Sequence, residues 1–265
     1  MCSSTWSSPT RRPSGGQTCG QIAVCVIRQV LLGDGFTARW MNPKRSVGHQ
    51  LLTDRSTSRN VGCVRKPPDT RERIVSAAAR LFLQRSYQAV GVDEICEAAD
   101  ARKGSFYYYF SSKCELAKAV VDLHAVTYAS RLADFADDDP VRRLRAIPDM
   151  IGAVQVDFES QFGRAVGCPF GNLAAELSTT DDALRAHIAG CFRLMEEGLA
   201  QLCRQASAQG ALREGVDPDR LAHCLLAQYE GVTLLAKLNG AGVAGIAPAL
   251  RDFLAAYLSD GGHAR

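Results

Sequence analysis

At 265 residues the chain can form one large or two modest domains around a buried core. Its composition, 46% hydrophobic and 22% charged, is that of an ordinary globular protein, and no apolar run reaches the about 18 residues needed for a membrane-spanning helix. The net charge of +3 is unevenly spread: residues 1–66 hold ten Lys or Arg against two acids, whereas residues 67–265 hold 21 against 26.

Residues 1–66 are rich in Ser, Thr, Arg and Gly and show no sustained helical period. Two readings stand: a disordered basic extension that adds nonspecific phosphate attraction, or a misassigned start, with the natural one at Met41 or near Val64. The run IAVCVIRQVLL (22–32) is interrupted by Arg28 and Gln29, and no small-residue cleavage site follows, so it does not read as a secretion signal. Ten cysteines are present, but none has C-x-x-C spacing and no Cys/His set has zinc-finger spacing. Cys96, Cys191 and Cys224 replace apolar residues in helical patterns, which points to reduced thiols and a cytoplasmic location.

From Asp69 onward the pattern is helical. Asp69 to Glu72 matches a capping box, and Ile74, Ala78, Leu81 and Phe82 then share one helix face. Val92, Ile95, Cys96 and Ala99 repeat the device over a shorter span. Ser112 to Glu115 is a second box, opening a long helix with Leu116, Ala119, Val120 and Leu123 on one side. Further stripes follow: Ile147, Ile151, Val154 and Phe158; then Leu184, Ile188, Cys191, Met195, Leu199 and Leu202. Asp217-Pro218 opens another helix, and Leu250, Phe253, Leu254 and Tyr257 mark a last one. No segment alternates like a strand, so the expected class is all-α.

Between the second and third stripes lies KGSFYYYF (103–110), five consecutive aromatics in a chain that is only 7% aromatic. At 100° per residue, Phe106 and Phe110 fall on one side and pack inward. The tyrosines fan around the remaining turn, where each offers an apolar ring and a hydroxyl able to reach a phosphate. A short helix, a tight Asp100-Ala-Arg connection and a second short helix give helix-turn-helix spacing, with 103–110 as the recognition helix.

The segment TRERIVSAAARLFLQRSYQAVGVDEICEAADARKGSFYYYFSSKCELAKAVV resembles the N-terminal DNA-binding domain of the tetracycline-repressor (TetR) family, without a gap over about 69–121. The resemblance implies a homodimeric, all-helical transcription regulator, usually a repressor, that leaves its DNA operator when a small molecule enters the C-terminal domain. It divides the chain into the 1–66 extension, a three-helix DNA-binding domain at 67–115, and a ligand-binding and dimerisation bundle at 116–260. It implies that Lys103, Gly104, Ser105, Tyr107 and Tyr109 lie on or beside the major groove and that Lys113 holds the phosphate backbone. Arg102 replaces a usual small hydroxyl residue and offers a base or phosphate contact. Gly91 stands where a hydroxyl residue usually caps the second helix. Asp100 stands where Gly usually turns, and so must adopt a left-handed conformation.

GCPFGNLAAELS (167–178) resembles a segment of one branch of the family. Phe158, Phe162, Cys168, Phe170, Asn172, Glu176 and Met195 are the candidate ligand-pocket residues; core packing or interhelix hydrogen bonding is the competing reading for each. A thiol at a helix N-terminus can have a lowered pKa, so Cys168 is also a candidate redox or electrophile sensor. A Cys168–His187 pair could serve an enzyme, yet no oxyanion-hole motif or third orienting residue accompanies it, and no catalytic residue, cofactor or metal is expected. By resemblance, the last two helices, about 217–239 and 246–258, pair with their symmetry mates, and small residues such as Gly231 and Ala236 permit close approach. The expected partners are therefore a roughly palindromic DNA operator, a second copy of the chain and a small effector, with no membrane.

Overall fold

The computed structural model describes residues 69–135 and 137–259; the 1–66 extension and its two possible starts lie outside them. Among the described residues nine helices run in chain order: α1 (Thr70–Arg85), α2 (Val92–Ala98), α3 (Lys103–Tyr109), α4 (Lys113–Asp134), α5 (Pro140–Phe162), α6 (Pro169–Leu177), α7 (Asp182–Ala208), α8 (Pro218–Asn239) and α9 (Ile246–Ala255). No strand occurs among the described residues. A single bridge between Leu212 and Leu258 ties the α7–α8 loop to the end of α9, with Arg213 N–H donating to Tyr257 O at 2.9 Å.

Helix boundaries follow the caps. The Asp69 side chain accepts from Glu72 N at 2.8 Å, and Glu72 accepts in return from Asp69 N at 3.3 Å, which completes the expected box. At α4 only half of the second box forms: Ser112 Oγ accepts from Glu115 N at 3.1 Å, while the Glu115 carboxylate turns to Lys118 at 2.7 Å. Asp139, Asp181 and Asp217 cap α5, α7 and α8, and Pro140 and Pro218 sit in first turns, where their missing N–H costs nothing.

Helices α1 to α3 form a small unit around Ile74, Phe82, Ile95 and Phe106, all buried. α4 packs against α1 at one end and continues into a bundle with α5 to α9, whose core includes Leu144, Phe158, Leu184, Leu202 and Leu225. α4 thus belongs to both halves. Among the described residues two non-glycines take positive φ, Ser86 at 91° just after α1 and Asp100 at 47° between α2 and α3. The second is the left-handed turn that the resemblance implies for Asp100, and Arg73 holds it by donating to Asp100 O at 3.1 Å.

α5 and α9 cross closely at Gly152, where an added Cβ would lie 2.8 Å from Ala247 Cβ. Gly152→Ala gains about 1 kcal/mol of helix propensity but incurs overpacking of about 1–3 kcal/mol. The substitution is expected to lower the urea midpoint, and adding Ala247→Gly is expected to restore it; an unchanged midpoint in the single variant would show that the crossing relaxes freely.

Candidate nucleic-acid interface and regulatory core

The helix-turn-helix unit divides the aromatic run as helical spacing dictates. Phe106 and Phe110 are buried, with ring centroids 5.9 Å apart, and the Arg71 guanidinium lies 5.2 Å from the Phe110 ring. Tyr107, Tyr108 and Tyr109 are 53%, 82% and 39% exposed. An apolar ring on a surface is unremarkable singly, but three on one turn form a patch that intrachain packing does not explain. Tyr108, absent from the set named from sequence, is the most open of the three, and its ring meets Tyr109 edge-on at 4.9 Å. A Cβ at Gly104 would meet nothing within 4 Å, so nothing within this chain requires glycine there. Arg102 is the uncapped N-cap of α3 and is exposed, and Ser105 is half-buried beside it.

Lys103 is exposed but already paired, its Nζ 2.7 Å from Asp93 Oδ1 on α2, a hydrogen-bonded contact that raises its pKa. Lys113 departs from the expected phosphate contact. Its ammonium turns inward and donates to Tyr87 O and Val90 O, both at 2.9 Å, and sits 4.2 Å from the Tyr87 ring centroid. Burial lowers its pKa, and the nearby Glu176 opposes that shift. The charge serves the α1–α2 loop rather than an outward surface.

Glu176 also departs from its expected role. Instead of lining a ligand cavity, its carboxylate leaves α6 and accepts from Tyr87 N at 2.9 Å and Gln88 N at 2.6 Å. Arg164, ahead of α6, donates to Gln84 O at 2.6 Å. The α1–α2 loop therefore has its donors bound by α6 and its acceptors bound by the first residue of α4. Asn172, likewise expected in a pocket, bridges structure instead: its Nδ2 donates to Val166 O at 2.8 Å and its Oδ1 accepts from Lys237 at 2.9 Å.

The remaining candidates separate. Phe158 and Phe162 line a cavity of about 380 Å³ between α1, α4 and α5. Met195 lines a smaller one of about 80 Å³ within the bundle, beside Tyr128, Met150, Leu226 and Tyr229. Phe170 is buried against the rings of His124, Tyr128 and Phe192, at centroid distances of 6.3, 5.6 and 6.1 Å. Cys168 is the N-cap of α6, its sulfur accepting from Gly171 N at 3.5 Å, but its thiol pKa is not lowered. Burial, followed by the Glu230 carboxylate, pushes it well up, so the residue stands as a protonated thiol. A Cβ at Gly171 would collide with that same Glu230 carboxylate, which reaches across the start of α6. Tyr128 and Tyr229 share a buried hydroxyl hydrogen bond of 2.7 Å next to Cys168.

The family model described as bacterial regulatory proteins, tetR family, matches residues 74–120, and that described as tetracyclin repressor-like, C-terminal domain, matches residues 140–245. Over 170 residues the chain is 36% identical to the transcriptional regulator AcuR of Cereibacter sphaeroides, covering 63% of this chain and 75% of that protein. The chain belongs to the TetR family. It is also 31% identical over 174 residues to the HTH-type transcriptional repressor DhaR of a Mycobacterium species, covering 64% of this chain and 83% of that one. The crystal structure of a TetR regulatory protein from Rhodobacter sphaeroides superposes with a TM-score of 0.60 at 30% identity, covering 71% of this chain and 96% of that chain.

As a TetR-family member the protein is a ligand-responsive DNA-binding regulator of the repressor type, and its all-α architecture is the one its motifs imply. Its relatives are regulators, and the residues considered for catalysis do not converge. His187 bonds Asp122 at 2.9 Å, whereas Cys168 faces Glu230 and Tyr229. Among the described residues no group of His, Cys, Asp and Glu could hold a metal, and no helix is long and apolar enough to cross a membrane.

Removing the Glu176 carboxylate leaves two N–H groups of the α1–α2 loop without their acceptor. Hydrogen bonds to charged groups are worth about 1.5–3 kcal/mol, so Glu176→Ala is expected to lower stability by about that much in chemical denaturation. Faster amide exchange at Tyr87 and Gln88 should accompany the loss, and unaltered exchange there would argue against the grip.

Proposed function

We propose that the protein acts as a homodimeric repressor, reading a two-fold symmetric operator with the exposed face of α3 and leaving it when a small molecule binds the C-terminal half. The observation that carries the reading is the division of α3 into buried phenylalanines and exposed tyrosines. Arg102, Lys103, Gly104, Ser105, Tyr107 and Tyr109 form the proposed DNA face, joined by Tyr108. Arg102 supplies a contact to guanine or phosphate, the tyrosines supply hydroxyls to the backbone, and the bare Cα of Gly104 allows close approach. Lys113 acts one step removed, by fixing the α1–α2 loop.

The dimer reading is supported by α8. Leu234, Leu235 and Leu238 are 60%, 54% and 76% exposed, a density of large apolar groups uncommon on a monomer surface. A Cβ at Gly231, on the same helix, would meet nothing within 4 Å, so this glycine leaves room for a facing helix. An isologous α8 contact gives paired recognition helices and hence a palindromic site. Leu235→Lys combined with Leu238→Glu is expected to yield monomers in sedimentation equilibrium; a dimer that survives both changes would place the contact elsewhere.

Release follows from linkage. The effector must bind the operator-incompetent arrangement more tightly than the competent one, since equal affinity shifts nothing. The route runs through α4, which belongs to both halves, and through Glu176, which couples α6 to the α1–α2 loop. The thiol-sensor alternative on the same scaffold requires a reactive thiolate, and the buried, protonated Cys168 does not favour it.

Selection of genomic fragments by the purified protein should return one palindromic sequence. On that sequence Tyr107→Ala is expected to weaken binding by about tenfold, in line with the loss of roughly one good contact. Asp93→Asn should act oppositely: it frees Lys103, so affinity at low salt rises and the salt slope steepens by about one phosphate equivalent. Only diffuse binding without a shared sequence would overturn the reading.

A further inference from the structure

The cavity of about 380 Å³ lies at the junction of the two halves. One wall is DNA-side: α1 and the end of α2 with its turn, through Arg73, Ser76, Leu83 and Asp100. The other is regulatory: Leu123, His124 and Thr127 of α4, with Phe158, Gln161 and Phe162 of α5. Its size is within the range of small-molecule sites, which begin near about 300 Å³.

Its polar groups are incompletely used. Arg73 Nε and Gln161 Oε1, atoms of two residues that line this cavity, are buried and have no hydrogen-bond partner among the described residues. Such groups are rare in folded proteins and call for an occupant or water. Arg80, exposed and outside any ion pair among the described residues, adds a second guanidinium to the lining. The one carboxylate of the lining, Asp100, is fully exposed and stands 3.7 Å from Arg73, so the positive charge is only partly offset. His124 is buried and neutral, desolvation lowering its pKa to about 4, and such a ring can accept or donate one hydrogen bond. The Ser76 and Thr127 hydroxyls are used within their own helices, donating to Glu72 O and Leu123 O. The apolar part of the lining includes Leu83, Leu123 and the rings of Phe158 and Phe162, whose centroids are 6.3 Å apart. An anionic head, a flat apolar body and a hydroxyl donor match these features in turn.

We propose that this junction cavity binds a small hydroxylated aromatic carboxylate, whose occupancy fixes α1 against α4 and α5 and so weakens operator binding. The inference rests on the reading of the protein as a ligand-controlled regulator, and it names the place and the ligand class. The carboxylate pairs with Arg73 and Arg80, the ring lies against Phe158 and Phe162, and the hydroxyl donates to Gln161 Oε1. Because both halves line the site, an occupant differs in affinity between arrangements that open or close the junction, which is the condition for coupling.

The test uses 4-hydroxybenzoate as probe and phenol as its uncharged control, titrated calorimetrically into the full-length protein without DNA. Saturable binding at about one per protomer is expected, with phenol weaker by about tenfold or more, the loss of one charge-assisted contact. Arg80→Gln should weaken the acid by about the same factor. Ser76→Phe, which fills the cavity from α1, should abolish binding, and Gln161→Leu provides a second variant if the first fails to fold. Operator affinity measured with the probe present should fall by at least about fivefold, a coupling at the lower end of known cases. No saturable binding, equal binding of phenol, or binding that survives both Ser76→Phe and Gln161→Leu overturns the site. Binding that leaves operator affinity unchanged overturns the coupling. Operator binding by the ligand-free protein tests the regulator reading separately, so a protein that holds operator but ignores the acid loses this inference alone.

Discussion

The short loop between α1 and α2 is held by two opposite charges, and the rest of the molecule is arranged around that grip. Glu176 takes the loop's N–H groups at Tyr87 and Gln88, and Lys113 takes its carbonyls at Tyr87 and Val90. A loop that follows a residue at φ 91° has no regular ladder of its own to satisfy these groups. Both charges are partly withdrawn from water, where hydrogen bonds to ions are stronger than neutral ones. One charge comes from the regulatory bundle and the other from the first residue of the shared helix. The orientation of the recognition unit is thereby set by residues about 25 and 90 positions away along the chain, counts that follow from their numbering.

This arrangement supports the proposed route through α4. It packs on α1 at one end and on α5, α6 and α7 further along, so it cannot move without repacking both. Polar ties at the junction reinforce it: Arg164 to Gln84, and the Cys114 thiol to Asp181. Interfaces closed by a few directional bonds over an apolar bed have discrete alternatives rather than a continuous range.

Much of this was legible in the sequence, and the boundary of legibility has a physical cause. Phe106 and Phe110 could be assigned inward because helical geometry alone fixes their common side. Asp100 could be assigned a left-handed turn through the family resemblance, because it stands where Gly usually turns, and its φ is 47°. The caps at Asp69 and Asp217 are local interactions spanning two or three residues, and both were visible. Cys168 was not, because the shift of its thiol comes from burial and from Glu230, more than sixty positions later in the numbering. Asn172 and Glu176, four apart on one helix, could be read only as polar residues of an amphipathic segment. Whether they face a cavity, a neighbouring helix or another domain is a tertiary fact. Lys113 misled for the same reason: its charge was evident, but its direction depends on carbonyls freed by the α1–α2 loop. Tyr108 was passed over because a fan of three rings on one turn gives no local cue to which is most open.

The Asp93–Lys103 pair bears on how the regulator searches for its site. A basic residue at the leading end of a recognition helix ordinarily attracts any phosphate, so the protein lingers on unrelated sequence. Here an intramolecular carboxylate already occupies that lysine. On the proposed DNA face, an encounter with DNA would have to displace the carboxylate before the lysine contributes, and a site that also engages the neighbouring tyrosines and Arg102 would offset that exchange. In that reading the pair is a resident competitor that would shorten dwell on random DNA, trading some affinity for faster sampling.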